Sequence, residues 1–574
     1  MSNMDRMPEE IVVGRGDPVY MAHAYLTKVP VPAITPFIEA FCPEGGVVAD
    51  PFAGSGMTGV AAVATGRSAR LSDISVLGRH IGSNYLNLVD AELLQATAAS
   101  VVKEASSELQ GIYAVPCDAC GEEASLSKTV WSVLVECAGC ARPANFYRAL
   151  EAADWSKAGM ECADCGTSVS SKNRRVGEAP VVDYISCSCS PKQREQAARP
   201  VPTHVTEGLN FPEVEITPDR EMYRASALGK SGNTTVASFY SPRNLRALVA
   251  LRSAISGVSD EQLASKLLFA FTATLTRASK RYQWSKARPL NAANANYYIA
   301  PVFYEWNVFE LFARKAVAVT RSDDFVRSER AGRGHGDVAV EAEYIVESAA
   351  ELGLPDNSVD YVFTDPPFGS NLFYADMALF QEGWLGGFTD VSKEAVIDRS
   401  RGTSRSSERY EQLLTDALSE CRRVLRSGGR VSMVFGNSSG KIWALVQRAV
   451  AAAGLVIEPE HIVILNKGQR SVKGLASGFE HVATLDLVLT MREAEDPGGE
   501  LTSPSHDQLV ALTRDVAARR ATTPSHLYLE LLRTALREGW SVAGLDLRTV
   551  TETLLSDGWS IDSRSGRLAR PTAA

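Results

Sequence analysis

Short apolar runs alternate with amphipathic stretches over much of the chain. Residues 46–50, 69–72, 338–346, 359–364, 430–435, 455–465 and 483–491 are rich in β-branched and apolar side chains and are bounded by turn residues, the pattern of buried strands. Helical spacing of apolar positions follows several of them, as at 374–384 and 410–425, with Ser427-Gly428-Gly429 reading as a helix C-cap. Strands that alternate with helices predict an α/β domain built on a doubly wound sheet. The alternation breaks from about 112 to 335, where Ser241-Pro242-Arg243-Asn244-Leu245 caps one apolar helix and 263–275 forms a second. Beyond 492 it does not resume. Residues 493–505 have the acidic, Pro/Gly/Ser-rich composition of a linker, and the tail carries helical spacing at Leu527, Leu531, Leu532, Val550, Leu554 and Leu555.

Composition narrows the class. The chain has 574 residues, 45% apolar and 22% charged, which describes a globular protein of several domains. The first residues lack the apolar core of a signal peptide, and nowhere do about 18 apolar residues run together. The chain therefore reads as soluble and cytoplasmic, with no membrane partner. A formal net charge of −9 excludes a surface coated in positive charge and leaves room for a local basic groove. Eight of the ten cysteines fall between Cys117 and Cys189 in close pairs, which points to metal before disulfides. Cys42 and Cys421 read as ordinary half-buried residues.

The chemistry concentrates at Asp365-Pro366-Pro367-Phe368, where two prolines stop the strand 359–364. An acid, a rigid turn and an aromatic ring thus stand at the carboxyl end of a strand, where ligands sit in open α/β sheets. Such a cluster suits methylation of a planar exocyclic amine. Asp365 and a proline-fixed carbonyl accept the amine hydrogens, and Phe368 stacks on the ring, so positioning and electrostatics lower the barrier without a covalent intermediate.

A matching half lies upstream. The strand ending at Asp50 runs into Pro51-Phe52-Ala53-Gly54-Ser55-Gly56-Met57-Thr58-Gly59, a turn whose glycines let the backbone approach a ligand ahead of a helix N-terminus. Asp73 ends the next short strand, a position that commonly takes the ribose hydroxyls of an adenosine-containing cofactor.

Together, Asp50-Pro51-Phe52-Ala53-Gly54-Ser55-Gly56 and Asp365-Pro366-Pro367-Phe368 resemble motifs I and IV of DNA amino-methyltransferases, which use S-adenosylmethionine. The stretch His23-x-Tyr25-x-x-Lys28-x-Pro30 is similar to their motif X, which lines the methionine end of the cofactor. The resemblance implies a Rossmann-like methyltransferase sheet with a reversed last strand. It also implies that Gly54, Gly56, Thr58, Asp50 and Asp73 hold the cofactor with Phe52 near its adenine, and that Asp365, Pro366, Pro367 and Phe368 grip the base.

The insertion opens with Cys117-x-x-Cys120 and Cys137-x-x-Cys140, a spacing that fits a four-thiolate zinc site; Cys162-x-x-Cys165 with Cys187-x-Cys189 forms a looser second set. The ligand sets are also open to interleaving, and one or two zinc ions fit. Zinc closed by four cysteines is structural. Pro116-Cys117 is the dipeptide of cytosine C5-methyltransferases, but a metal-bound thiolate is not free to attack a base. Motif I, zinc ribbon, then motif IV is the arrangement of zinc-ribbon-containing adenine-specific DNA methylases, a resemblance that runs from about residue 20 to 492. Beyond the ribbon, Arg277, Lys280, Arg281, Tyr282, Trp284, Lys286 and Arg288 form a basic, aromatic strip without acids, a candidate nucleic-acid contact, and Asn291, Asn294, Asn296, Tyr297 and Tyr298 follow. Residues 398–409 form a further polar stretch rich in arginine and serine. Gly436 to Lys441 is too short for a phosphate-binding loop and has Ile442 where Ser or Thr would hold magnesium.

The expected organisation is a methyltransferase domain in two halves, 1–111 and 336–492, split by a zinc ribbon at 112–200 and a helical target-recognition insertion at 201–335. The linker 493–505 and a helical module at 506–574 complete it. The expected activity is methyl transfer to the N6 amine of a flipped-out adenine in double-stranded DNA. Bacterial modification or phage defence, with further subunits, is the setting that the resemblance implies. Methylation of the cytosine N4 amine, an RNA amine methyltransferase and a catalytically silent binding subunit are the alternatives.

Overall fold

In a computed structural model of the chain, the described residues are 7–14, 16–200, 211–226, 228–286, 297–336, 338–369, 372–398, 405–468, 484–495, 501–519, 523–562 and 566–570. The strands in chain order are β1 (Glu10–Val12), β2 (Val47–Asp50), β3 (Ser68–Asp73), β4 (Ala114–Pro116), β5 (Glu123–Glu136), β6 (Pro143–Asn145) and β7 (Arg175–Ser186). They continue with β8 (Arg194–Ala197), β9 (Val302–Trp306), β10 (Ala342–Val346), β11 (Val359–Thr364), β12 (Leu425–Phe435), β13 (Leu455–Asn466) and β14 (Asp486–Glu493).

Eight strands form the central sheet in the order β1-β13-β14-β12-β11-β2-β3-β10. All neighbours are parallel except β14, which runs antiparallel to both β12 and β13. The reversed strand is the expected one. Apolar residues on both faces explain the topology: Val431, Met433, Val434 and Phe435 of β12 are all buried, so helices must cover the sheet on both sides. From β2 the chain moves outward through β3 to β10, then returns to β11 on the other side of β2. The strand order therefore reverses between β2 and β11, where a doubly wound sheet opens a crevice at its carboxyl edge. This is a Rossmann-like α/β sheet.

Two local expectations change. Ser427-Gly428-Gly429 does not end a helix; it lies inside β12, and the helix Ser407–Val424 is closed by Leu425. Gly428 takes φ 80° at a register shift against β11, and a Cβ on Gly429 would stand 3.0 Å from Asp360 O, so the glycines make a bulge. The strand expected over 338–346 starts only at Ala342.

The insertion has its own antiparallel sheet, β4-β5-β7-β8, with β6 and β9 also on β5. Strand β9 comes from the segment expected to be helical, so the cysteine-bearing ribbon and the helices beyond it share one sheet. The tail folds back onto the main domain. Leu527, Leu531 and Leu532 bury themselves in the same cluster as Trp443 and Leu487, Gly440 N donates to Asp546 Oδ1 at 3.0 Å, and Leu547 N donates to Ser438 O at 3.0 Å. No helix among the described residues is long and apolar enough to cross a membrane.

Candidate active site

After β2, Asp50 is held by its own turn. One carboxylate oxygen accepts from Thr58 Oγ1 at 2.6 Å and the other from Phe52 N at 3.1 Å. Burial pushes its pKa up to about 7. Gly54 and Gly56 take φ 48° and 77°, and a Cβ on Gly56 would lie 2.6 Å from Gly82 Cα, so only glycine fits here and the turn presents bare backbone. Asp73, at the end of β3, accepts from Gly54 N at 2.8 Å and Ser75 N at 2.9 Å, which ties the turn to the next loop. Its pKa is raised by burial. Tyr344 of β10 donates to Gly54 O at 2.7 Å from the other side.

After β11, the turn at Asp365 is pinned through its later carbonyls. Tyr410 Oη donates to Pro367 O at 2.6 Å and Asn437 Nδ2 to Phe368 O at 2.9 Å. Among the described residues none donates to the Pro366 carbonyl. Asp365 and Pro367 line the space between the two turns, whereas Pro366 and Phe368 do not. The Phe368 ring packs on Phe435 with centroids 5.0 Å apart. Beside it, buried Lys467 pairs with half-buried Asp486, Nζ to Oδ2 at 2.6 Å. A Cβ on Gly436 would approach Asp486 Oδ1 to 2.2 Å and Phe368 to 3.3 Å, so that residue must be small. Burial pushes Asp365 up to about 8, with Lys467 acting against the rise and Asp486 and Asp50 adding to it.

One open chamber joins the two turns, with Asp50, Asp73 and Asp365 on its walls. All the sequence-predicted cofactor residues line it except His23 and Gly56. His23 faces the insertion instead: its Nε2 lies 3.1 Å from Thr272 Oγ1 on the helix Glu261–Ala278, and burial lowers its pKa. Lys28 reaches the chamber wall, but its ammonium is spent on Tyr20 O at 2.9 Å, His23 O at 2.5 Å and Tyr85 Oη at 3.1 Å. Burial brings Lys28 down to about 7. Both residues therefore pin the loop that carries Tyr25: Thr272 of the insertion holds His23, and Lys28 ties together Tyr20, His23 and Tyr85. The bare glycine turn and Asp73 fit an adenosine-containing methyl donor.

The basic strip does not form one surface. Arg281 and Tyr282 are buried, at 2% and 6% exposure, and Lys280 pairs with Glu178 at 2.7 Å. Arg277 lies over the rings of Tyr282 and Trp306, Trp284 packs with Tyr147 and Trp155, and Lys286 sits 5.0 Å from the Trp155 ring. The cause is backbone pairing: Trp284 N donates to Val302 O and Lys280 N to Phe239 O, which draws the segment inward. Arg288, Asn291, Asn294 and Asn296 lie outside the described residues, as do 399–404 of the second polar stretch and 496–500 of the linker.

The eight cysteines form two groups of four, Cys117, Cys120, Cys187 and Cys189, and Cys137, Cys140, Cys162 and Cys165, each with its sulfurs within 4.8 Å of one another. The sets are nested, not sequential. Strand β5, 14 residues long, holds the first two CxxC pairs roughly 45 Å apart, beyond the reach of one ion. Four thiolates at tetrahedral spacing are a zinc donor set.

Tyr410, Asn437, Lys467, Asp486, Tyr344 and Gly82 were not legible as site residues, since each acts from an element remote in sequence.

Residues 10–90 match the family model described as DNA methylase. That span holds the glycine turn, Asp50 and Asp73. No curated protein sequence matches the chain. Among solved structures it is similar to TrmN from Thermus thermophilus, with 16% identity, a TM-score of 0.16 and coverage of 31% of this chain and 34% of that one. A putative DNA modification methylase, also from Thermus thermophilus, shares 17% identity, with TM-score 0.16 and coverage of 30% and 62%. Geranyl diphosphate C-methyltransferase from Streptomyces coelicolor A3(2), in complex with Mg2+, geranyl diphosphate and S-adenosyl-L-homocysteine, shares 14%, with TM-score 0.16 and coverage of 30% and 60%. The chain thus spans less than two thirds of these proteins, and the fold rests on the strand order.

Proposed function

We propose that the protein is an S-adenosylmethionine-dependent DNA methyltransferase acting on the N6 amine of an adenine extruded from double-stranded DNA. The observation that carries this reading is the shared chamber: the Asp365 carboxylate opens into the same space as the bare glycine turn and Asp73. The match of residues 10–90 to the DNA methylase model supports it independently. The choice of adenine over the cytosine amine rests on the resemblance of Asp365-Pro366-Pro367-Phe368.

The backbone of Gly54 to Gly56 would take the cofactor, with Asp73 toward its ribose and Phe52 beside its adenine. When bound, S-adenosylmethionine supplies an electrophilic methyl group. The Asp365 carboxylate and Pro366 carbonyl would accept the two amine hydrogens, which frees the nitrogen lone pair from the ring as the N–C bond forms and the methyl–sulfur bond breaks, with S-adenosylhomocysteine as the leaving group. Tyr410 and Asn437 keep the turn in place, and Asp365 or solvent takes the departing proton. Lys467 favours the ionised form of Asp365 that this role needs. The two cysteine sets would each hold one structural zinc, which fixes the ribbon on which the insertion is built.

The test is methyl transfer from labelled S-adenosylmethionine to unmodified plasmid DNA and to total RNA, followed by nucleoside analysis. N6-methyladenine in DNA is the expected product. N4-methylcytosine would correct the base, label in RNA alone would correct the polymer, and full turnover by Asp365→Ala would reject the site.

A further inference from the structure

A second open chamber adjoins the first, with a wall of Tyr25, Leu26 and Tyr374 in common. Its far side is Thr276 and Arg281 from the insertion and Met377 and Gln381 from the helix Tyr374–Leu385. Nothing in the methyl-transfer scheme uses it.

Arg281 is the anomaly in this wall. It is 2% exposed, and its Nε and Nη1 have no hydrogen-bond partner. No carboxylate among the described residues lies within ion-pair distance of it. Its guanidinium rests 4.0 Å from the Phe380 ring centroid. A cation–π contact offsets only part of the cost of burying an unpaired ion. Burial accordingly lowers its pKa. Thr276 Oγ1 accepts from Gln381 Nε2 at 3.2 Å, and its own proton has no acceptor among the described residues. The remaining wall is largely apolar, so an ion pair formed here would be little screened.

We propose that this second chamber is an oxyanion site in which Arg281, assisted by the Thr276 hydroxyl, receives a negatively charged oxygen group of a ligand that also occupies the first chamber. The inference rests on the methyltransferase reading, which offers two sources of that group: a backbone phosphate of the DNA beside the extruded nucleotide, and the α-carboxylate of the cofactor. The shared Tyr25–Leu26–Tyr374 wall makes either one a continuation of a ligand already in the first chamber.

The test compares wild type, Arg281→Met and Thr276→Val for binding of a methylatable duplex over a range of salt and for binding of S-adenosylmethionine by calorimetry. If a phosphate is held, Arg281→Met binds DNA roughly tenfold to a hundredfold more weakly. The log–log salt slope then falls by about 0.9, and cofactor binding stays as in wild type. If the carboxylate is held, cofactor affinity falls by the same factor and the DNA salt slope is unchanged. Thr276→Val shifts the same quantity in the same direction by a smaller factor, and it decides the matter should Arg281→Met fail to fold. Folded variants with wild-type DNA affinity, salt slope and cofactor affinity overturn the proposal. A wild type that binds neither DNA nor cofactor overturns the methyltransferase reading instead, and with it the source of the oxyanion.

Discussion

At the scale of single residues, the proposed transfer depends on the charge of Asp365. Its pKa is pushed up to about 8 by burial, so the carboxylate that would accept the amine hydrogens is the minor form at neutral pH. The acid is protonated below that value and ionised above it. The expected kcat/KM therefore rises about tenfold per pH unit up to roughly pH 8 and then levels off, read from a pH–rate profile. Lys467→Met removes the cation that opposes the rise and should move this limb to higher pH, whereas Lys467→Arg should leave it near the wild-type position. Tyr410→Phe tests the turn itself. Loss of the bond to Pro367 O should lower stability by about 1–2 kcal/mol in a thermal melt and kcat by roughly tenfold. Asp365 was visible in the sequence because acid, prolines and ring are adjacent. Lys467 was not, since a lysine after an apolar strand carries no local mark of what lies across the sheet.

At the scale of elements, the ribbon shows how a long strand overrides cysteine spacing. Two CxxC pairs 20 residues apart look like one site, yet β5 extends between them and each pair closes with thiolates contributed from farther along the chain. Native mass spectrometry should find two zinc ions per chain. The double variant Cys117→Ser/Cys120→Ser should retain one, with Cys187 and Cys189 becoming open to alkylation while Cys137 and Cys140 stay protected. Sequential pairing would expose Cys137 and Cys140 instead. The helices expected over 374–384 and 410–425 are both present; the second has a clear apolar face, whereas the first is buried on nearly all sides. The glycines at 427–429 misled because a bulge and a helix stop both need positive φ, and only the neighbouring strand tells them apart.

At the scale of the whole molecule, the tail and the insertion are parts of the main body rather than appendages. Gly440 shows how closely the tail is seated: a Cβ there would meet Val542 O at 2.5 Å and Leu545 O at 2.6 Å. Gly440→Ala should cost about 1–3 kcal/mol of stability and lower the melting temperature, with Asp365 chemistry retained in the protein that remains folded. The insertion reaches further still, since Thr272 holds His23 and Arg281 stands in the wall of the second chamber.

By itself the sequence determined the class of sheet, the two turns that face each other across it and the cysteines that gather into sets, because these follow from periodicity, from turn chemistry and from residue types that sit together in the chain. Only the tertiary structure decided which cysteines group together, that the polar atoms of His23 and Lys28 are held by neighbouring segments, and that the basic strip is drawn inward. Those outcomes depend on which side chains meet across hundreds of residues and on what each burial must satisfy, and no local pattern encodes them.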